Sequence, residues 1–286
     1  MADNRETLDI EGLLRFYAEA GVDMPLSETP IDRFAEPQRP APTRSAAQTT
    51  NTPERARQQQ PRPAPTPAPT SRPVQAAADL PDTAQIALAR EAAAQASTLD
   101  DLRERLAAFD GCNLKFTAKN LCFADGDPSS DIMFIGEAPG RDEDMEGLPF
   151  VGKSGQLLNR MIESIGLKRE SVYIANTIPW RPPGNRTPTP LETELCRPFI
   201  ERQIELAAPK IVVALGGPAG KALTGAAEGI LRLRGNWKVH QTPSGFEIPV
   251  MPTLHPAYLL RTPAQKRFAW RDFLAVKLKL AELTGR

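Results

Sequence analysis

The sequence predicts an α/β fold: a three-layer α/β/α domain on a mostly parallel central sheet, preceded by a disordered Pro/Ala-rich N-terminal tail. Three observations predict it. From residue 131 onward, apolar runs alternate with amphipathic stretches, the pattern of strands and helices in βαβ units. KIVVALGG (210–217) is apolar almost throughout, as a strand buried on both faces must be. Proline is unevenly spread: 13 of the 29 lie in residues 1–82, and ten of those fall between Pro37 and Pro73, a stretch with no aromatic residue. Of the 286 residues, roughly 200 remain for one sizeable core.

Taken in order, residues 7–20 (TLDIEGLLRFYAEA) set Ile10, Leu13, Leu14 and Tyr17 at helical spacing, weakened by Gly12. Such a short helix cannot bury its stripe alone. It either docks on its own domain or binds a protein partner, so 1–34 is read as a short N-terminal helix or partner-binding segment. Residues 35–80 read as a disordered Pro/Ala/Arg linker, with PRPAPTPAPT as extended polyproline. Arg39, Arg44, Arg55, Arg57, Arg62 and Arg72 against Glu36 and Glu54 leave it positive, either as a solvated tether or as a weak seeker of phosphates. Residues 81–286 form the folded domain. Its first part, 82–109, predicts one or two Ala-rich helices. DIMFIG (131–136) is a strand ending in Gly, and SGQLLNRMIESIG (154–166) is an amphipathic helix. SVYIAN (171–176) is a strand, and 189–207 is a helix with Pro near its start. PAGKALTG (218–225) is a short helix, IPVMPTLHP (248–256) a strand ending at a proline, and 263–283 the last helix.

The 35 basic and 35 acidic residues cancel. That excludes a polybasic binder working by bulk charge, so any nucleic-acid site must be a local patch. No run of 18 apolar residues exists to span a membrane. The start, MADNRETLDIEG, has no apolar signal core, so a soluble cytoplasmic protein is expected. Three cysteines make no disulfide framework.

One motif fails inspection. Gly147 to Ser154 (GLPFVGKS) matches the phosphate-loop pattern letter for letter. That loop needs a strand running straight into its first glycine, whereas the strand here ends at Gly136. Asp142, Glu143, Asp144 and Glu146 lie between and would repel a triphosphate.

In a parallel sheet, function gathers on loops at the carboxyl ends of strands. Three loops qualify: 136–152, 176–190 and 255–261. The first is GEAPGRDED followed by PFVG; Gly136 and Gly140 let backbone approach a planar ligand, or the segment is a plain strand exit. In the second, Asn176 precedes Trp180-Arg181-Pro-Pro-Gly-Asn185-Arg186. An Asn amide carries a donor beside an acceptor and suits a base edge, or caps a local turn. The third is His255-Pro256-Ala-Tyr258-Leu259-Leu260-Arg261, holding one of only two histidines, either functional or structural.

Together these loops resemble the uracil-DNA glycosylase superfamily, most closely its family-4 bacterial and archaeal type. The resemblance covers about residues 108–280. It rests on GEAPGRDED with PFVG downstream, on N-x4-RPPGNR, and on HPAYLLR, in that order. It implies hydrolysis of the bond between deoxyribose and uracil in DNA, leaving an abasic site in base excision repair, by a monomer associated with the nucleoid. The target base must leave the duplex and enter a pocket. The resemblance then implies a role for each residue. Phe150 stacks on the flipped ring. Asn176 pairs with uracil O4 and N3–H, and Glu143 sits where a thymine methyl would go. His255, with backbone N–H groups near Ala138 and Gly140, stabilises charge developing on O2. Glu137 holds or activates the attacking water. Tyr258, Leu259 and Leu260 form a wedge that fills the gap in the duplex, and Pro256 beside them also contacts DNA. Arg181, Arg186 and Arg261 face DNA, with Lys266, Arg267 and Arg271 toward phosphates or simply forming a solvated helix face.

The sequence departs from the family at one feature. Family-4 enzymes hold a four-iron, four-sulfur cluster on four cysteines. The corresponding positions here read Cys112, Lys115, Trp180 and Cys196, and Cys122 lies at the wrong spacing. Two thiolates without a nearby His support a cluster poorly. The expectation is a cluster-free member with no metal, in which Trp180 and Phe116 supply apolar packing. Two rival readings remain. One is a relative that traps uracil-DNA covalently through a His on an inserted basic loop; residues 140–152 contain no His. The other is a non-catalytic DNA-binding module.

Overall fold

The structure, a computed structural model, describes residues 82–285. The expected N-terminal helix and linker lie outside the described residues. Two helices open the domain, α1 (Asp82–Ala94) and α2 (Leu99–Ala108), then the single turn α3 (Leu114–Thr117). α2 starts where Thr98 accepts the Asp101 N–H, a side-chain cap that satisfies one of the free amides of the first turn.

Six strands form one sheet: β1 (Asp125–Gly126), β2 (Ile132–Gly136), β3 (Tyr173–Asn176), β4 (Ile211–Leu215), β5 (Lys238–Gln241) and β6 (Glu247–Thr253). Their spatial order is β1-β3-β2-β4-β6-β5. The four inner strands are parallel, and β1 and β5 close the two edges antiparallel. All residues of β2, β3 and β4 are buried, which is why those segments read as continuous apolar runs.

Helices cover both faces. Ile132, Phe134, Ile174, Val213 and Met251 point to one side. There they meet Leu158 and Ile162 of α5 (Lys153–Ser164) and Phe273 and Val276 of α10 (Lys266–Thr284). Their chain neighbours Met133, Ile135, Ala175, Val212 and Val250 point to the other. They meet Ile200 and Ile204 of α6 (Pro190–Ala207) and Ala219 and Leu223 of α7 (Gly217–Thr224). This alternation follows from the period of two along a strand. A third cluster joins α1 and α2 to the first half of α6. Among the described residues no helix is long and apolar enough to cross a membrane.

The expected architecture is present, with five local differences. Strands β1 and β5 and the turn α8 (Ile230–Leu233) were not anticipated. The 136–152 segment is not all loop: it contains α4 (Arg141–Glu146), ended by Gly147 in the left-handed conformation. That helix, and not a strand, runs into Gly147, so the phosphate-loop pattern has no phosphate-loop structure. The 255–261 segment is itself a short helix, α9 (Pro256–Arg261), with His255 as its cap.

Candidate active site

β3 and β2 end side by side, β6 ends one strand further along beyond β4, and the loops that follow these three strands enclose a cleft of about 450 Å³. Glu137, Ala138, Gly140, Glu143, Phe150, Asn176, Arg186, His255, Tyr258 and Arg261 all line it. A larger cavity, about 780 Å³, lies between α1, α6 and the β5–β6 turn and shares no lining residue with the cleft. Two of its three arginines, Arg197 and Arg202, are already paired with Glu201 and Glu205.

Asn176 is the last residue of β3 and only 5% exposed. Its Oδ1 is buried and has no hydrogen-bond partner. Leaving such an atom unpaired costs about 1–3 kcal/mol unless a ligand completes it. Gly136, opposite it in register on β2, explains the close fit. A Cβ there would lie 2.4 Å from Asn176 Oδ1 and 2.5 Å from Phe150 Cζ. Phe150 itself is buried and adopts φ +54, a conformation rarely taken by a bulky residue. Its ring lies 5.5 Å from that of His255, tilted by 31°.

His255 caps α9 through its side chain: Nδ1 accepts the Ala257 N–H at 3.1 Å. An accepting Nδ1 puts the proton of the neutral ring on Nε2. Burial, reinforced by Arg261, pushes the imidazole down to about 4, so the ring is neutral at pH 7. Glu137, half-buried at the start of the first loop, is shifted the other way: burial raises its carboxyl above the ordinary range.

Some expected site residues are committed elsewhere. The Glu143 carboxylate accepts three backbone N–H groups, from Gly140 at 3.1 Å, Val151 at 3.2 Å and Gly152 at 3.0 Å. It ties the two ends of the α4 loop together. The Gly140 N–H, expected to face O2, is thereby already donated. Arg186 forks onto Glu192 at 2.8 and 2.6 Å, so its charge is balanced within the 186–192 turn. Arg181 donates to Asn185 Oδ1 at 2.7 Å. Leu259 is 1% exposed and packs with Leu254 and Ala269, so it is a core residue and not part of a wedge. Pro256 is likewise buried. Leu260 (43% exposed) keeps its side chain free, and Tyr258 is half-buried at the cleft. Arg261, Lys266, Arg267 and Arg271 are exposed, with Arg267 lying over the Phe268 ring. Ser154 and Asn185, to which the sequence reading gave no role in the site, also line the cleft.

Three of the four cluster positions, Cys112, Trp180 and Cys196, pack together. Trp180 is 2% exposed and packs in one apolar cluster with Cys112, Cys196, Leu114 and Ile178. Hydrogen bonding between the two thiols pushes Cys196 well above the ordinary thiol range, keeping it protonated. Lys115 Nζ turns away to Asp110 at 2.5 Å. Phe116, expected in this packing, is 66% exposed and takes no part in it. Cys122 lies apart, its Sγ donating to the Glu143 carbonyl at 3.1 Å, with burial pushing it up to about 12. Among the described residues no group of three or more His, Cys, Asp or Glu is placed to hold a metal. The residues present do not fit an iron–sulfur cluster: an indole is no ligand, and it packs in one apolar cluster with the two cysteines.

A buried amide with an open acceptor, an aromatic wall and a neutral imidazole donor, at the carboxyl ends of parallel strands, define a pocket for a planar, hydrogen-bonding ring. The family model of the uracil DNA glycosylase superfamily matches residues 123–279, which include all of these groups. The chain belongs to that superfamily. It is 39% identical to the type-4 uracil-DNA glycosylase of Archaeoglobus fulgidus over 194 residues, 66% of this chain and 94% of that protein. It is also 39% identical to the type-4 enzyme of Thermotoga maritima over 167 residues, 57% of this chain and 83% of the relative. Against that of Sulfurisphaera tokodaii the identity is 38% over 188 residues, 63% and 84% of the two chains.

Proposed function

We propose that this chain is a uracil-DNA glycosylase, hydrolysing the N-glycosidic bond of uracil in DNA and leaving an abasic site. The observation that carries the reading is Asn176 Oδ1, buried and without a partner at the cleft floor. In this reading uracil N3–H donates to Asn176 Oδ1, and the amide nitrogen donates to O4. Cytosine presents the reverse pattern and leaves both groups unpaired. Phe150 takes the face of the flipped ring, and His255 Nε2–H donates to O2. As C1′–N1 breaks, its electron pair passes onto the uracil ring and O2, where that donor is worth most. The water oxygen bonds to C1′ and its proton passes to the Glu137 carboxylate. Glu143 acts indirectly, fixing the loop that carries Phe150. Leu260 is the wedge, with Tyr258 beside it, and Arg261 with the α10 cations supplies the phosphate-facing charge.

The same reading makes the chain a cluster-free member, because Trp180 packs where a ligand would be needed. It assigns catalysis to residues 81–286, treats 35–80 as linker, and leaves 1–34 for docking or a protein partner. An oligonucleotide with a single uracil tests the reading. The expected result is an alkali-labile abasic site, with no cleavage of the same oligonucleotide containing thymine. A covalent protein–DNA band, or a mobility shift without product, would overturn hydrolysis in favour of a trapping or merely binding relative.

A further inference from the structure

Arg169 lies outside the three loops and outside the cleft, yet it carries four hydrogen bonds on a side chain that is mostly buried. Its Nη1 donates to the Phe150 carbonyl at 2.9 Å and to Asn159 Oδ1 at 2.8 Å. Its Nη2 donates to the Pro149 carbonyl at 2.7 Å, and its Nε to Asp125 Oδ2 at 2.7 Å. Asp125, on edge strand β1, also pairs with Nη2 at 2.6 Å and neutralises the buried charge. These contacts converge on Phe150, the one aromatic residue with a positive φ among the described residues. The Phe150 carbonyl is further constrained from the other side. A Cβ on Gly155, in the first turn of α5, would stand 1.8 Å from that oxygen.

A left-handed Phe costs about 1–3 kcal/mol and persists only where its surroundings over-determine it. A planar fork that spans two consecutive carbonyls is suited to that task, and a single ammonium is not. We infer that Arg169 is a positioning residue for base excision: by clamping the Pro149 and Phe150 carbonyls it sets the Phe150 ring at the angle a flipped base needs. This rests on the proposed role of Phe150 as the stacking wall. Arg169 touches neither base nor DNA, so its loss acts on the rate of the bound complex and not on encounter.

The test is a double-mutant cycle between Arg169→Gln and Phe150→Ala in single-turnover excision on uracil duplex, with Arg169→Lys as the second variant. A misplaced reacting geometry costs up to about 100-fold. Arg169→Gln is expected to slow the maximal rate about ten- to 100-fold on that scale. Its half-saturating enzyme concentration should move by less than about threefold, as expected when the lost interaction acts only beyond binding. In the Phe150→Ala background the same change should cost almost nothing, since coupled residues are non-additive. Arg169→Lys, which keeps the charge beside Asp125 but not the fork, should fold and show the same non-additivity with a smaller loss. If Arg169→Gln does not fold, Arg169→Lys carries the cycle alone. Additive losses, or an Arg169 variant at parental rate while Phe150→Ala is slow, would overturn the clamp and leave the stacking role standing. A Phe150→Ala protein at parental rate would overturn both.

Discussion

The cleft and the Trp180 core share one stretch of chain, 176–196, yet they treat polar groups in opposite ways. At the cleft Asn176 Oδ1 is buried and unsatisfied, Phe150 is held at a positive φ, and His255 and Glu137 are pushed off their ordinary pKa values. Four residues beyond Asn176 the chain enters a region of ordinary packing, where Trp180, Leu114, Ile178 and two thiols fill one apolar cluster. Unmet hydrogen bonds and backbone strain cost stability, and a fold retains them where a ligand repays the cost. The difference separates substitutions that should slow chemistry from those that should only unfold the protein.

The largest expected effect is structural. Trp180→Ala removes a buried indole and should destabilise the protein by about 3–5 kcal/mol, the range for large-to-small core changes. Denaturant unfolding measures this, and the fraction still folded should excise uracil at the parental rate. Unchanged stability would mean the indole is not what joins the two cysteine segments. Next comes His255→Ala, which removes one donor at the developing charge. Single-turnover excision should fall about 10²- to 10³-fold, or about 2.7–4 kcal/mol, with DNA binding close to parental. A rate within about threefold of the parent, far inside that range, would remove His255 from the mechanism.

Asn176→Asp should weaken uracil excision and admit some cytosine, because a protonated carboxyl can present the reversed pattern. Full activity on uracil alone would mean that backbone groups read the base. A smaller effect is expected on the acid side of the pH profile. His255, at about 4, stays neutral from pH 8 to pH 5 and adds no inflection near the ordinary imidazole value. Glu137 is raised, so as pH falls through its shifted value it takes up a proton and can no longer accept one from water. Excision should therefore decline on the acid side at a pH above the ordinary carboxylate value, and Glu137→Gln should abolish that decline. An inflection near 6.5 that persists in Glu137→Gln would return the titration to His255.

What could be read from the sequence follows from what leaves a local signal. The strands β2, β3 and β4 are buried on both faces and therefore apolar throughout, so they were legible. Helices α5, α6 and α10 show apolar spacing or caps, Thr189 with Glu192 among them. Strand β1 is two residues long, and β5 exposes Lys238, Val239 and Gln241, so neither leaves an apolar signal. Residues at the cleft were legible because Asn, His and Gly cluster at strand ends. Their division of labour was not: Leu259 and Leu260 are adjacent letters, and only the fold shows that one is core and the other exposed. Glu143 and Arg169 act on backbone carbonyls and amides, which have no letter of their own. Arg169 further joins positions 125, 149, 150 and 159, a grouping no local pattern contains. Phe116 was misjudged for the same reason, as its neighbour Leu114 is the one turned inward.

The proposed function places excision in the cleft and leaves packing around Trp180 to hold the segments that four thiolates would otherwise join. One preparation tests both halves: anaerobically purified protein, assayed for iron per chain and for single-turnover uracil excision on the same sample. The expected result is a colourless protein with iron far below one atom per chain and full excision activity. A brown protein with about four irons per chain, or an iron-free fraction that fails to excise while an iron-loaded fraction succeeds, would contradict it.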